Sequence, residues 1–456
     1  MNKGKTLLLL EGSTYIHTNK MALTYAQEEI GDIRGAVILG SIEKTGSPQD
    51  LEKLEIPIIY DKNLNSVDRI KKGLETFHPQ KVYDFAGAPT VSTENRHEFA
   101  SIITSSGAVY EGIDFTFTID RPELPLLRDF ILHRTNITTL CFLGTGQRVG
   151  KTSVINSLGK YLEKYRPVFI TMGRSGPVEP GLISPNGFSL NTEDILELSK
   201  KEGPISSDNW QTALSTGFPV IECFRVGEAY RTGVAAFSNV WAGTEIAETL
   251  DPELIIYQGS GISRPPVKIN GEIVIIGADQ NPDKFGKIER YSIIKADMII
   301  ITKCDTPENN REKLREFLNS LVSTHLVIET VFKPCPILNN QKSLKGKNIL
   351  FFTTSPLSAI EGQKDYLEKT YECNIVNYSN NLANREMLSK DLKNFSSTDF
   401  DIVLTEFKAA AIMVIEEMKK KNKEVFICEN ELIPLENYEI KSGLEEVIGM
   451  AFARNG

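Results

Sequence analysis

Apolar runs of strand length alternate with amphipathic stretches along most of the chain. In residues 1–135 the runs 6–10, 35–39, 56–60 and 81–85 predict strands, and 19–30, 67–77 and 94–105 have helical periodicity. Such alternation predicts a parallel sheet with helices on its faces. After Pro122, Pro125 and the polar run 133–136, the rhythm resumes at Thr138. Strands are expected at 138–143, 167–171, 219–224, 254–257, 273–277 and 298–301, with a helix over 152–164 and another opening near Ser206, Ser207 or Asp208. Beyond residue 345 the runs 347–352, 374–377, 402–404 and 424–428 predict further strands. An amphipathic helix over 409–421 ends in lysines, which suit the negative end of its dipole. The expected fold class is therefore α/β in three units: an N-terminal domain (1–135), a central parallel-sheet domain (136–340) and a smaller C-terminal lobe (341–456).

A length of 456 residues agrees with two or three domains. The net charge of −9 argues against nonspecific nucleic-acid binding. Runs such as 7–10 and 298–301 are far too short to span a membrane. The apolar stretch after Lys3 and Lys5 is too short for a signal peptide. Six scattered cysteines without a CxxC pair indicate neither a zinc site nor a disulfide framework. The expectation is a cytoplasmic protein without membrane or nucleic-acid partners.

The candidate chemistry centres on Gly144-Thr145-Gly146-Gln147-Arg148-Val149-Gly150-Lys151-Thr152-Ser153, between a strand and a helix. That frame makes it a phosphate-binding loop (P-loop). Glycines let the backbone N–H groups curl inward, and the helix N-terminus adds partial positive charge. Lys151 then reaches the β/γ-phosphates and the Thr152 hydroxyl ligates Mg²⁺. Arg148, Arg174, Arg225 and Arg231 stand near glycines and join Lys151 as candidate catalytic cations. The strand at 254–257 ends in Gln258, where such enzymes usually carry an acid for Mg²⁺, so Glu179 and Glu222 become the candidate metal acids. Thr302-Lys303-Cys304-Asp305 resembles the base-reading motif of GTPases, which makes Asp305 a candidate nucleotide contact and keeps GTP open beside ATP. In the N-terminal domain four Gly-rich loops fall at expected strand ends, where α/β sheets bind ligands. Ser13, His17, Lys44 and Arg96 are the candidates for an anion there, with Arg121 as a further cation.

Five residues separate Gly144 from Gly150, and Thr145 takes the usual first-glycine place. This longer loop is similar to that of dethiobiotin synthetase and its relatives, which phosphorylate an acid and then close a ring by displacing phosphate. Further motifs are Gly112-Ile113-Asp114-Phe115-Thr116-Phe117, Gly173-Arg174-Ser175-Gly176-Pro177, Gln258-Gly259-Ser260-Gly261 with Pro265-Pro266, and Thr405-Glu406-Phe407-Lys408-Ala409-Ala410-Ala411. With them the chain resembles the cyclic 2,3-diphosphoglycerate synthetase family of methanogenic archaea over essentially its whole length. Gln258 departs from that family, where the strand end more often begins with Glu. The resemblance implies a P-loop fold like that of dethiobiotin synthetase, with ATP, Mg²⁺ and K⁺. It also implies a homodimer, 2,3-diphosphoglycerate as substrate, and a ligase that joins the substrate's two phosphates with release of ADP and phosphate.

Two other classes stay open on the residues alone. One is a related ligase or kinase for another acid. The other is a nucleotide-dependent switch, although no metal-delivering Cys or His pair is visible. The substrate's place, in the N-terminal domain, the central domain or both, is equally open. So is the part played by the C-terminal lobe, where the turn Thr405-Glu406-Phe407-Lys408 reads as a strand end.

Overall fold

The computed structural model describes residues 4–455 except 43, 88–89, 120–131, 203–207, 231, 307–309, 323–325, 338–342, 396–397, 409 and 436–438. Arg231, Arg121, Pro122, Pro125, Ser206, Ser207 and Ala409 lie outside the described residues.

The N-terminal sheet contains β1 (Lys5–Glu11), β2 (Asp32–Leu39), β3 (Ile58–Ile59), β4 (Lys81–Asp84), β5 (Val109–Glu111) and β6 (Thr116–Phe117). Their spatial order is β3-β2-β1-β4-β5-β6, and only β5–β6 is antiparallel. Helices α1 (Ile16–Tyr25), α2 (Ser66–Phe77) and α3 (Thr93–Ser105) connect the strands. Leu7 and Leu9 pack beside Ile70, Phe99 and Ile103, whereas Leu8 and Leu10 pack beside Ala22 and Leu23. Burial on both faces explains the unbroken leucine run. The expected helix over 19–30 is α1 followed by a π-helical turn, Ala26–Ile30.

Residues 138–434 build one second sheet. Its strands are β7 (Thr138–Gly144), β8 (Val168–Gly173), β9 (Gly181–Ile183), β10 (Val220–Glu228), β11 (Ala235–Ser238), β12 (Leu254–Gln258), β13 (Gly271–Gly277), β14 (Met298–Thr302), β15 (Leu326–Pro336), β16 (Asn348–Phe352), β17 (Asn374–Ser379), β18 (Ile402–Glu406) and β19 (Glu424–Pro434). The order is β11-β10-β8-β12-β7-β13-β14-β15-β19-β18-β16-β17, with β9 beside β10. The intervening helices are α4 (Lys151–Gly159), α5 (Thr192–Glu202), α6 (Asp208–Thr216), α7 (Val240–Glu248), α8 (Lys287–Lys295), α9 (Arg311–Leu321), α10 (Leu357–Tyr371), α11 (Arg385–Asn394), α12 (Ala411–Lys420) and α13 (Ile440–Asn455). No described helix is long and apolar enough to cross a membrane.

Strands from both sides of the expected boundary between the central and C-terminal units share this sheet. Apart from the antiparallel edge strands β9 and β11, its two halves are parallel, and they meet where β15 and β19 pair antiparallel, from Thr330 opposite Pro434 to Pro336 opposite Cys428. In this register β14 ends level with the start of the ribbon and β18 ends level with its far end. The carboxyl ends of the two halves therefore point towards one another. The alternation in 326–333 is compatible with a strand, but Pro334 and Pro336 mask it, since proline seldom lies within a sheet. Finally, α13 packs back on the central strands, with Leu444, Val447 and Ile448 among Leu140, Phe142 and Ile273.

The N-terminal sheet docks on the far half of β10. Phe224 and Val226 share a core with Leu8, Leu10 and Phe85, and Tyr25 stacks on Phe237 with ring centroids 4.7 Å apart. Gly227 has φ +59°, and a Cβ added there would lie 1.9 Å from the Phe85 carbonyl oxygen. Only glycine allows this approach of two backbones.

Candidate active site

The phosphate loop lies between β7 and α4. Gly150 has φ +86°, and a Cβ on it would meet the Phe332 ring at 2.5 Å. Arg148, exposed at the loop tip, also takes a left-handed backbone, at φ +59°. Gln147 is exposed beside it, while Thr145, Val149 and Ser153 are buried and Gly146 and Thr152 are half-buried. The loop is fixed from several sides. Gly144 N–H donates to Gly261 O at 2.9 Å, Thr145 N–H to Ile275 O at 3.0 Å, and Thr302 Oγ1 to Val149 O at 2.7 Å. Gln280, which drew no attention in the sequence, accepts from Thr145 Oγ1 at 2.5 Å and donates to Thr145 O at 3.3 Å. Its position follows the strand beside β7, a signal that only the topology supplies.

Burial lowers the Lys151 pKa, and the opposing charge is Asp208 at the start of α6. The sequence marks Asp208 only as a candidate helix cap; the fold sets its charge against the loop lysine. A backed turn carrying a desolvated ammonium at a helix N-terminus fits a nucleotide polyphosphate.

The candidate cations separate into two kinds. Arg174, largely buried, donates to Ser13 Oγ at 3.0 Å, and Ser175 Oγ lies 3.0 Å from His17 Nε2. Burial lowers the Arg174 pKa, with Arg225 as the neighbouring like charge. Ser13 also bonds Glu11 Oε2 at 2.7 Å and lies 3.3 Å from Thr90 Oγ1. Ser13 and Thr90 follow the carboxyl ends of β1 and β4, where the strand order of the N-terminal sheet reverses, the usual ligand crevice of such folds, and Arg174 and Ser175 reach them from the end of β8. Lys44 is close by, 5.8 Å above the Tyr15 ring.

Arg225 is sealed from solvent, 3.5 Å from Glu11 Oε1 and 3.7 Å from Glu228 Oε1. Its guanidinium also reaches Ser260 O at 3.5 Å. Ser260 and Gly261 thus tie the arginine seam to the start of the phosphate loop. Arg96 corrects the sequence expectation of an anion-facing cation. It is 2% exposed, with Nε on Asp84 at 3.0 Å and Nη2 on Ala86 O and Glu228 O at 2.6 and 2.9 Å. Its charge is committed to Asp84, and its Nη2 ties the N-terminal domain to Glu228 of β10.

The acids are dispersed. Glu179 is exposed in the loop after β8. Glu222 is half-buried, and burial raises its pKa against a hydrogen bond from Asn209. Gln258 is 4% exposed, and its Nε2 has no partner among the described residues. Strand alternation places it with Leu254 and Ile256, on the face covered by α4. Among the described residues there is no cluster of three His, Cys, Asp or Glu suited to a metal. Asp305 is exposed, but its carboxylate bonds Lys333 Nζ at 2.7 Å.

Family models of cyclic 2,3-diphosphoglycerate synthetase match three successive parts of the chain. They are the N-terminal domain at 5–118, the P-loop domain at 139–331 and the C-terminal domain at 341–431. The synthetase of Methanothermus fervidus is 34% identical over 466 residues, covering 98% of this chain and 97% of the relative. That of Methanothermobacter thermautotrophicus is 32% identical, with 97% and 94% covered, and that of Thermococcus kodakarensis 33%, with 97% and 98% covered. Among solved structures, LpxK from Aquifex aeolicus in complex with ATP aligns with a TM-score of 0.43 at 13% identity, covering 70% of this chain and 90% of that one. On the family models and these near full-length relatives, the chain belongs to the cyclic 2,3-diphosphoglycerate synthetase family.

Proposed function

We propose that this chain is an ATP-dependent ligase that closes 2,3-diphosphoglycerate into its cyclic phosphoanhydride, with ADP and inorganic phosphate as the other products. One observation carries the reading: Arg174 and Ser175 meet Ser13 and His17 at a seam that Arg225 ties through Ser260 and Gly261 to the phosphate loop. In this reading the substrate binds at the seam, with one end towards Ser13, His17 and Lys44 and the other towards Lys151.

Substrate phosphates are already largely ionised near neutral pH, so no side chain has to remove a proton. Repulsion is the obstacle. Two unit charges 4 Å apart repel by about 1 kcal/mol in water and about 4 kcal/mol at an effective dielectric near 20. Arg174, Lys151 and Arg148 offset that repulsion, while Arg225 keeps the seam together. The nucleotide supplies the phosphoryl group that turns one substrate phosphate into a pyrophosphoryl group. The other phosphate's oxygen then attacks the inner phosphorus, a P–O bond closes the ring, and inorganic phosphate departs with the electron pair of the broken bond. Holding both groups on one molecule makes this step intramolecular. Mg²⁺ is usually held by substrate phosphates and one or two side chains; Thr152, with Asp208, Glu222 or Glu179, would serve.

A phosphorus NMR time course with ATP, Mg²⁺ and 2,3-diphosphoglycerate tests the proposal. Growth of ring-anhydride resonances in step with ADP supports it. ATP consumption without them, or the same rate with the acid omitted, overturns it. K⁺ titration, replacement of ATP by GTP and sedimentation test the potassium, nucleotide and homodimer parts of the reading.

A further inference from the structure

The turn after β18 faces the phosphate loop, because the antiparallel ribbon points the carboxyl ends of the two half-sheets at each other. Lys408 on that turn places Nζ 3.4 Å from Ser153 Oγ, in the first turn of α4 and two residues beyond Lys151. A simpler duty for Lys408 would be to neutralise the buried Glu406. Yet Glu406 already accepts four hydrogen bonds: from Thr353 Oγ1 at 2.9 Å, Thr354 N at 2.8 Å, Thr354 Oγ1 at 2.8 Å and Asn430 Nδ2 at 2.9 Å. Two bonds to each oxygen approach the acceptor capacity of a carboxylate. The ammonium acts on Glu406 only through its field and directs its contact to α4 instead.

We propose that Lys408 is a nucleotide-site cation supplied by the C-terminal half-sheet, reaching the phosphate chain from the side opposite Lys151. This rests on the glycine loop holding a nucleotide, as proposed above. Backbone N–H groups at that helix end point at the phosphates, and a flexible four-carbon stem lets Lys408 swing from Ser153 to them. The Glu406 cluster then acts as the rigid seat of the turn.

The test is titration calorimetry of the full chain with Mg²⁺ and a non-hydrolysable ATP analogue, AMP-PNP, together with the melting temperature of the free protein. Lys408→Gln should weaken AMP-PNP about ten-fold or more, and Lys408→Arg should recover most of that loss. The double variant Glu406→Gln with Lys408→Gln removes the ammonium together with the buried carboxylate of its own turn, so it serves even where the single variant folds poorly. If the proposal holds, the double variant still binds AMP-PNP weakly at a temperature below its own melting transition. Parental AMP-PNP affinity in Lys408→Gln or in the double variant overturns it, the latter by showing that Lys408 only balances Glu406. Because binding is read without turnover, failure to form ring product counts against the ligase reading alone.

Discussion

Lys151 and Arg174 differ from Arg225 in what surrounds them, so their replacement should fail in different ways. Lys151→Ala removes the desolvated cation of the loop and should cut ring formation and nucleotide consumption together by about 100-fold or more, measured by phosphorus NMR and coupled ADP release. Parental rates would end the proposed mechanism. Arg174→Ala should raise KM for the diphosphate about ten-fold or more, with little change in stability. Arg225→Ala leaves Glu11 and Glu228 buried without their shared cation, and its expected cost is about 3–5 kcal/mol in denaturant unfolding. The sequence did not distinguish these arginines. Both have a glycine nearby, but Gly227 is required for the approach to Phe85, not for an anion. Arg96 misled for a related reason: its partner Asp84 lies on another element, and nothing in the spacing announces the pair.

β10 belongs to one sheet along its first half and to the seam along its second. Gly227→Ala should therefore cost about 3 kcal/mol or more and loosen the N-terminal sheet selectively. Limited proteolysis would show that sheet cut first, and a single unchanged melting transition would contradict the docking described. Glu406 at the end of β18 and Glu429 in the middle of β19 make opposite predictions against pH. Burial opposes ionisation of Glu406, but Lys408, Asn430 and Thr354 outweigh it and hold its pKa below the usual value of 4.5. Its contribution to stability is present above pH 4.5 and is lost as pH falls through the folded-state value. Glu429 is dominated by burial, with Ser215 and Lys408 only partly compensating, so its pKa is raised from 4.5. Its contribution is present below pH 4.5 and is lost as pH rises through the folded-state value. Glu429→Gln should thus stabilise the protein at pH 7 and leave it unchanged near pH 4, whereas Glu406→Gln should destabilise it at pH 7. Denaturant curves at the two pH values check both signs. Strands covered on both faces, such as β1 and β14, were legible as solid apolar runs. β15 was not, because its prolines hide the strand that joins the halves.

The second sheet extends from β11 to β17 across two stretches that the sequence presents as separate units. Ending the chain after Pro336 would strip β19 from β15 and expose a long unpaired strand. Such a fragment should aggregate in sedimentation analysis, and a soluble monomer that binds AMP-PNP would refute this. The three-unit reading captured the alternation of strands and helices but not the register that turns the two carboxyl edges towards each other. That register depends on pairing between residues distant in sequence. The placement of α13 has a consequence during synthesis. β7, which feeds the phosphate loop, is backed by a helix that leaves the ribosome long after it. A nascent chain released early would carry the glycine turn without its backing and should hold no nucleotide, so only chains that include residues 440–455 would draw on the cell's supply of ATP.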